Sequence, residues 1–319
     1  MIAQNSANTI STLTKAQNIL LVTHENPDGD ALASLGAMYG FLSDGKKNIV
    51  IFCKDIPPKN FDFIPHVEQC QTDKANLNWI CLDVVVVLDC ANIKRTGLAD
   101  EITDSNCVII NIDHHVSNDK FGDINFVQED AVSTTQILYD IFTEQKIAIN
   151  KDMANCILTG ILTDSGNFAY ATSNSHTFTI ASEMLIRGAN VRDILNYTSK
   201  NKKLYTLKAW GLALSRLTYN KNYDVVYTVL TQSDLKNFGI GTDDLEGLSN
   251  FLNTLKDAKI IMVLYELSDG RIKGSLRTTR HDVDVSKIAM CLGGGGHKKA
   301  AGFEIKGQLR QTDAGWEVF

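Results

Sequence analysis

His24, Asp28 and Asp30 place one imidazole and two carboxylates within seven residues, in the stretch Leu20-Leu21-Val22-Thr23-His24-Glu25-Asn26-Pro27-Asp28-Gly29-Asp30. An apolar run, Ile19 to Val22, ends abruptly at them, and Pro27 and Gly29 make a turn. Similar endings recur further on. Val84-Val85-Val86-Val87-Leu88 ends in Asp89, and Val108 to Ile112 ends in Asp113-His114-His115. A helical run from Asp152 to Thr163 leads directly into Asp164-Ser165-Gly166. Four carboxylates a few ångströms apart repel by roughly 1 kcal/mol per pair at 4 Å in water, and about four times that near a protein surface. Such a cluster needs a cation. Mixed Asp/His donors without thiolate suit Mn²⁺, and also Mg²⁺, Fe²⁺ or Co²⁺. The donors suffice for two ions sharing one carboxylate. Two ions roughly 3.5–4 Å apart are the usual clamp for phosphoester hydrolysis, activating water and neutralising the phosphate.

Taken singly, each residue has a plainer explanation. A strand-end Asp113 is more often a helix cap, and His114 or His115 alone reads as a surface histidine. Asn26 and Asn92 serve turns. His66, His176 and His281 have no such company and read as structural or surface residues. The coincidence of several such clusters points to a site, provided the fold brings them together.

The elements that must do so read as an α/β domain. Ile19–Val22, Asn48–Phe52, Val84–Asp89 and Val108–Ile112 are strand-like, separated by segments long enough for crossovers. Four consecutive valines match a central parallel strand buried on both faces. Helices are expected over residues 1–18, Ala31–Leu42, Ala131–Glu144, Asp152–Thr163 and Ser175–Arg187. In a parallel sheet all strand carboxyl ends lie on one edge, so the clusters converge there. Residues 191–216 read as a helical connector. After it strand patterns return at Tyr223–Leu230, Ile260–Glu266 and Arg271–Thr278. A helix from Val283 to Leu292 then ends in Gly293-Gly294-Gly295-Gly296-His297, and Gly302–Ile305 is the last strand. The expected organisation is a doubly wound parallel-sheet domain over 1–190, the connector, and a smaller α+β mixed-sheet domain over 217–319.

The glycine run is either a flexible turn or a place where backbone N–H groups approach an anion. Seven Lys/Arg lie between Arg271 and Lys299, against Asp282 and Asp284, within a chain of net charge −6. This local balance favours an anion grip in which Arg277 and His297 take a terminal phosphate or the 3′ part of a nucleotide chain. Ser275 is a further candidate, and Arg280, Lys298 and Lys299 read as rim charges.

Length and composition bound the rest. A chain of 319 residues usually builds more than one core. Hydrophobic content of 44% with 21% charged residues is that of an ordinary globular protein. No apolar run is long enough to span a membrane, and no signal peptide is expected. Seven cysteines stand singly without a CxxC pair, as expected of reduced thiols in a cytoplasm. The negative net charge supplies no global attraction for nucleic acid.

The motifs resemble those of the DHH phosphoesterase superfamily: His24-x-x-x-Asp28-x-Asp30, Val-Leu-Asp at Asp89, Asp113-His114-His115 and Leu-Thr-Asp at Asp164. Gly293-Gly-Gly-Gly-His297-x-x-Ala300-Ala301-Gly302-Phe303 resembles the DHH-associated C-terminal domain. Size and layout are most similar to the short bifunctional members, nano-RNases that also dephosphorylate 3′-phosphoadenosine 5′-phosphate. The resemblance implies one Mn²⁺ held by His24, Asp28 and Asp89, and a second held by Asp30, Asp89, His114 and Asp164, with Asp89 bridging. Mg²⁺ or Co²⁺ are alternatives. It implies that His115 sits by the scissile phosphate, that Asp113 orients the neighbouring histidines, and that Gly294, Gly295, Gly296, Arg277, His297 and Ser275 bind substrate. The short nucleic acid would lie across a cleft between domains. Linear or cyclic dinucleotides, polyphosphate and pyrophosphate are alternative substrates, and a non-catalytic nucleic-acid-binding module is the alternative of another class. A homodimer is implied by the resemblance alone.

Overall fold

The computed structural model describes residues 2–169, 172–200, 202–245, 247–312 and 315–319. Met1 and Asn201, which fall in the expected first helix and connector, lie outside them. The chain forms two compact units, Met1–Asn201 and Lys202–Phe319.

The first unit is built on six parallel strands: β1 (Asn18–Val22), β2 (Asn48–Phe52), β3 (Cys70–Gln71), β4 (Val84–Leu88), β5 (Val108–Asp113) and β6 (Ile124–Val127), in the order β3-β2-β1-β4-β5-β6. The helices are α1 (Ile2–Lys15), α2 (Gly29–Leu42), α3 (Ala99–Thr103), α4 (Thr134–Glu144), α5 (Lys151–Asp164), α6 (Ser175–Ile186) and α7 (Val191–Thr198). Consecutive strand residues face opposite sides, and both sides are buried. Ile19, Leu21, Val84 and Val86 enter a core with Leu35, Ile137 and Ile157. Leu20, Val22, Val85 and Val87 enter a second core with Leu98 and Ile102. That two-sided burial explains why these strands are continuous apolar runs. The strand order reverses between β1 and β4, the switch point at which open α/β sheets place ligands.

Two strands, β3 and β6, are absent from the sequence-based expectation. They are the two edges, only two and four residues long, and too short for a periodic signal. Helix α2 packs closely on α5 because glycines line the contact. A Cβ on Gly36 would stand 2.8 Å from Cys156 Sγ and 2.5 Å from the Pro65 carbonyl oxygen.

The second unit contains α8 (Leu204–Ser215), β7 (Thr218–Asn220), β8 (Val225–Leu230), α9 (Gln232–Phe238), α10 (Leu248–Leu252), β9 (Ile260–Glu266), β10 (Arg271–Arg277), α11 (Val285–Cys291), β11 (Gly295–His297), β12 (Ala300–Lys306), β13 (Leu309–Thr312) and β14 (Gly315–Val318). Its main sheet runs β11-β12-β10-β9-β8-β7 and is mixed, with β8 and β9 parallel. One face packs on α8, α9 and α10 through Ile261, Val263 and Tyr265. The other packs on α11 through Leu276, Ala301 and Phe303. The stretch expected as a connector divides between the units: α7 buries Ile194 in the first core, and α8 buries Ala209 and Ala213 in the second unit. The strand at residues 300–306 is not the last element, since the β13–β14 hairpin follows it. The end of the glycine run is itself an edge strand, β11.

Candidate metal centre

The candidate acidic and imidazole residues of the first unit stand where elements end or begin at one sheet edge. His24 follows β1. Asp28 is the N-cap of α2, where its Oδ1 accepts from the Asp30 and Ala31 backbone N–H groups at 3.1 Å. The other oxygen, Oδ2, lies 3.9 Å from His24 Nε2. Asp89 follows β4 with a left-handed backbone, φ +54°. Such a conformation costs a non-glycine residue about 1–3 kcal/mol and persists only where the surroundings impose it. Asp113 ends β5, His114 and His115 follow it, and Asp164 is the last residue of α5.

The side chains meet around Asp89, which is 1% exposed. Its Oδ2 lies 3.6 Å from His24 Nε2 and its Oδ1 lies 3.6 Å from His114 Nε2. Asp164 Oδ2 lies 3.2 Å from His114 Nε2. Three sets of donor atoms lie within 4.8 Å of one another: His24, Asp28 and Asp89; Asp30, His114 and Asp164; and Asp89, His114 and His115.

The three histidines present themselves alike. His24 Nδ1 lies 2.7 Å from the Glu25 carbonyl oxygen, and His114 Nδ1 lies 3.4 Å from that of Ala131. His115 Nδ1 lies 2.7 Å from Asp113 Oδ1. Each of these oxygens accepts, so each Nδ1 carries the proton and Nε2 is left to act as the ligand or acid–base atom.

Charge crowding is visible in the proton affinities. Burial disfavours the His24 cation, but the Asp89 carboxylate outweighs it, with help from Asp28, and raises the pKa to about 9. Burial likewise opposes charge on His114, yet Asp164 and Asp89 raise it to about 10. Asp164 is pushed up to about 6 by burial and by Asp28 and Asp89, against the pull of His114. Asp30 is driven upward by burial and by Asp89 and Asp164. Asp89 moves the other way, because its three histidine neighbours more than offset its burial. Protons thus compensate a cluster that carries too much negative charge for its volume.

The donor set fits divalent cations on a further observation. His114 Nε2 is buried without a hydrogen-bond partner. It lies 3.2 Å from Asp164 Oδ2 and 3.6 Å from Asp89 Oδ1. A buried imidazole nitrogen without a partner, set among carboxylates, is an unsatisfied polar group that a cation would satisfy.

Four residues that hold this arrangement escape sequence reasoning. Asp30 Oδ2 accepts from the Thr134 backbone N–H at 2.6 Å, and its Oδ1 accepts from Thr135 N at 3.1 Å and Thr135 Oγ1 at 2.9 Å. Thr134 Oγ1 donates to Asp89 Oδ1 at 2.9 Å. Gly160 leaves room for them, since a Cβ there would stand 2.2 Å from both Asp30 Oδ1 and Thr135 Oγ1. Asn118 Nδ2 donates to Asp113 Oδ2 at 2.6 Å. One local signal exists: Ser133 and Gln136 have the spacing of a helix start, and the Ser133 hydroxyl accepts from Gln136 N at 3.1 Å.

The remaining candidates lie in the second unit. Strand register aligns Arg277, Ala300 and His297 in one row and Ser275, Gly302 and Gly295 in the next, all on one sheet face. Asn250 of α10 accepts from Arg277 Nε at 2.9 Å. Two of the glycines answer to β12: a Cβ on Gly294 would stand 2.1 Å from the Gly302 carbonyl oxygen, and one on Gly296 would stand 2.6 Å from Ala301 Cα. Around Gly295 there is open space. Of the basic residues nearby, Arg271 pairs with Asp269 and Glu304, and Arg280 pairs with Asp282. Outside both groups, His176 pairs with Asp140 at 2.8 Å and His66 packs on Tyr39.

An Asp-His-His triplet closing a central parallel strand, answered by carboxylates from three other elements, defines a DHH phosphoesterase. The chain carries two domains of that kind: residues 18–161 match the DHH family N-terminal domain and residues 222–314 match the DHHA1 domain. It is similar to the bifunctional oligoribonuclease and PAP phosphatase NrnA of Thermus thermophilus, at 29% identity over 91% of this chain and 84% of that one. Similarity to the protein of the same name from Mycoplasma genitalium is 28% over 95% and 93%. Among solved structures, an exopolyphosphatase-related protein from Bacteroides fragilis superposes with a TM-score of 0.89 at 26% identity, covering 96% of this chain and 92% of that one. No helix among the described residues is long and apolar enough to cross a membrane.

Proposed function

We propose that this chain is a Mn²⁺-dependent phosphoesterase that hydrolyses short oligoribonucleotides to mononucleotides and 3′-phosphoadenosine 5′-phosphate to AMP. The observation that carries this reading is Asp89, whose two oxygens each lie 3.6 Å from a different histidine and so serve two donor clusters at once. One cation would be held by His24, Asp28 and Asp89, and a second by Asp30, Asp89, His114 and Asp164. When bound, such a pair supplies an activated water and neutralises charge on the phosphoryl oxygens. His115, with Nδ1 fixed by Asp113, turns Nε2 away to orient the phosphate or to protonate the leaving oxygen. Arg277, Ser275, His297 and the glycine run at Gly294, Gly295 and Gly296 grip the substrate's terminal phosphate or 3′ part, with the Gly294 N–H itself already donated to the Ala289 carbonyl oxygen at 2.8 Å. The activities in the names of the two relatives above support the substrate class.

The test is steady-state hydrolysis of a panel: a dinucleotide, a long single strand, 3′-phosphoadenosine 5′-phosphate, a cyclic dinucleotide, polyphosphate and pyrophosphate. Each is assayed with Mn²⁺, Mg²⁺ or Co²⁺. The dinucleotide and 3′-phosphoadenosine 5′-phosphate should be turned over fastest with Mn²⁺, and Asp89→Ala should abolish that turnover. Preference for the long strand, or full activity in Asp89→Ala, would refute the proposal.

A further inference from the structure

Asn111 is a polar residue in the middle of the apolar strand β5, fully buried. Its amide nitrogen donates to the Val87 carbonyl oxygen at 3.3 Å and to that of Cys90 at 3.2 Å. Those two carbonyls flank Asp89, the residue with the left-handed backbone. The Asp89 N–H itself donates to the Ile112 carbonyl oxygen at 3.0 Å. One side chain therefore bridges the backbone on both sides of the shared carboxylate, which is the support a costly conformation requires.

The network continues toward the imidazole. Asn111 Oδ1 accepts from Asn118 Nδ2 at 2.8 Å, and the same nitrogen donates its second hydrogen to Asp113 Oδ2 at 2.6 Å, with the Cys90 carbonyl oxygen at 3.3 Å sharing one of the two. Asn118 Oδ1 accepts from the Lys120 N–H at 2.7 Å, which fixes the amide's orientation. Asp113 in turn holds His115 Nδ1 at 2.7 Å. Only an amide can bond in this way. Asn118 must donate to Asp113 and Asn111 while accepting from Lys120, and Asn111 must donate to two carbonyls while accepting from Asn118.

We infer that Asn111 and Asn118 are positioning residues, a buried pair of amides that locks the Asp89 turn and the Asp113–His115 pair into one rigid unit. The relay sets the separation between the shared cation ligand and the imidazole that faces the phosphate. This inference rests on the roles of Asp89 and His115 proposed above. It assigns to two uncharged side chains the geometry on which both roles depend.

The test combines cation binding, kinetics and a double-mutant cycle, all on the full chain. Asn111→Asp keeps the size of the side chain and removes its donors. It should weaken Mn²⁺ binding, followed by the Mn²⁺-induced shift in melting temperature, by about 10–100-fold. Asn118→Ala should lower kcat on the dinucleotide by about 10–100-fold with KM within about twofold of wild type. In an Asp113→Ala background the same Asn118→Ala change should cost less than about twofold in kcat, because the bond through which Asn118 reaches His115 is already gone. Asn118→Ser, which is smaller and keeps a hydroxyl donor, is the second variant should Asn118→Ala fold poorly, and it should recover part of kcat. Full additivity of Asn118→Ala with Asp113→Ala, or wild-type Mn²⁺ affinity in folded Asn111→Asp, would overturn the relay. His115→Ala is the separate arm: wild-type kcat there would remove the role proposed for His115, whereas loss of kcat in His115→Ala beside a silent Asn118→Ala would remove the relay alone.

Discussion

Gly160→Ala separates a local from a tertiary account of the metal centre. Gly160 lies inside α5. Helix propensity alone predicts that alanine there stabilises the chain by about 1 kcal/mol. The tertiary structure predicts the opposite. The added Cβ would fall 2.2 Å from Asp30 Oδ1 and Thr135 Oγ1 and 2.6 Å from Thr135 Cγ2, roughly 1 Å inside ordinary van der Waals contact. Neither neighbour can swing aside freely. Asp30 is bonded through both oxygens to the start of α4, and Thr135 Oγ1 is one of its donors. Overpacking costs about 1–3 kcal/mol, and loss of one bond to the buried carboxylate adds about 1.5–3 kcal/mol. Set against the propensity gain of about 1 kcal/mol, a net loss of roughly 1.5–5 kcal/mol is expected. That lowers the melting temperature by roughly 3–20 °C, at about 2–4 °C per kcal/mol for a unit of this size. The displacement of Asp30 should also shrink the Mn²⁺-induced rise in melting temperature. Differential scanning calorimetry with Mn²⁺ and with EDTA reads both effects. A Gly160→Ala protein that melts higher than wild type and keeps the full Mn²⁺ shift would show that the packing argument is wrong.

Three further predictions concern protons and phosphate. With pKa values raised to about 9 and 10, His24 and His114 carry protons at neutral pH until a cation displaces them. Mn²⁺ uptake should therefore release protons and strengthen as pH rises. Titration calorimetry in buffers of different ionisation enthalpy measures this, and an uptake heat independent of buffer would contradict it. For the cation-free chain the sign is fixed by the same shifts. The imidazolium contributions are complete below the ordinary value of 6.5 and are lost as pH climbs through about 9 and 10, so these groups make the melting temperature fall over that interval. In the second unit, Arg277→Ala should raise KM for the dinucleotide by about 10–100-fold, the equivalent of one charged hydrogen bond. Arg280→Ala, whose guanidinium is already paired with Asp282, should leave KM near wild type. Equal effects of the two changes would point to a diffuse basic field instead of a specific grip.

The strands that carry the centre were legible because burial on both faces forces continuous apolar runs, as in Val84–Leu88 and Ile19–Val22. The edges β3, β6 and β11 were not, because two to four residues pairing on one side need no pattern of their own. The amphipathic helices of residues 191–216 announced that each buries a face, but not against which unit. Only the fold assigns α7 to the first and α8 to the second.

The identity of the acidic and imidazole residues, and their positions after strands or at the end of a helix, are written locally along the chain. The sequence by itself therefore determined which side chains stand at the carboxyl edge of a parallel sheet and what chemistry they suit. Which of them touch, and what holds them, was decided only in three dimensions. Thr134 bonds Asp30 from 104 residues away, and Asn111 bridges the backbone around Asp89 from the neighbouring strand. Gly160 matters because of a side chain on another helix. Such contacts depend on distances between elements that are remote in the chain, and no local pattern of residue types encodes them.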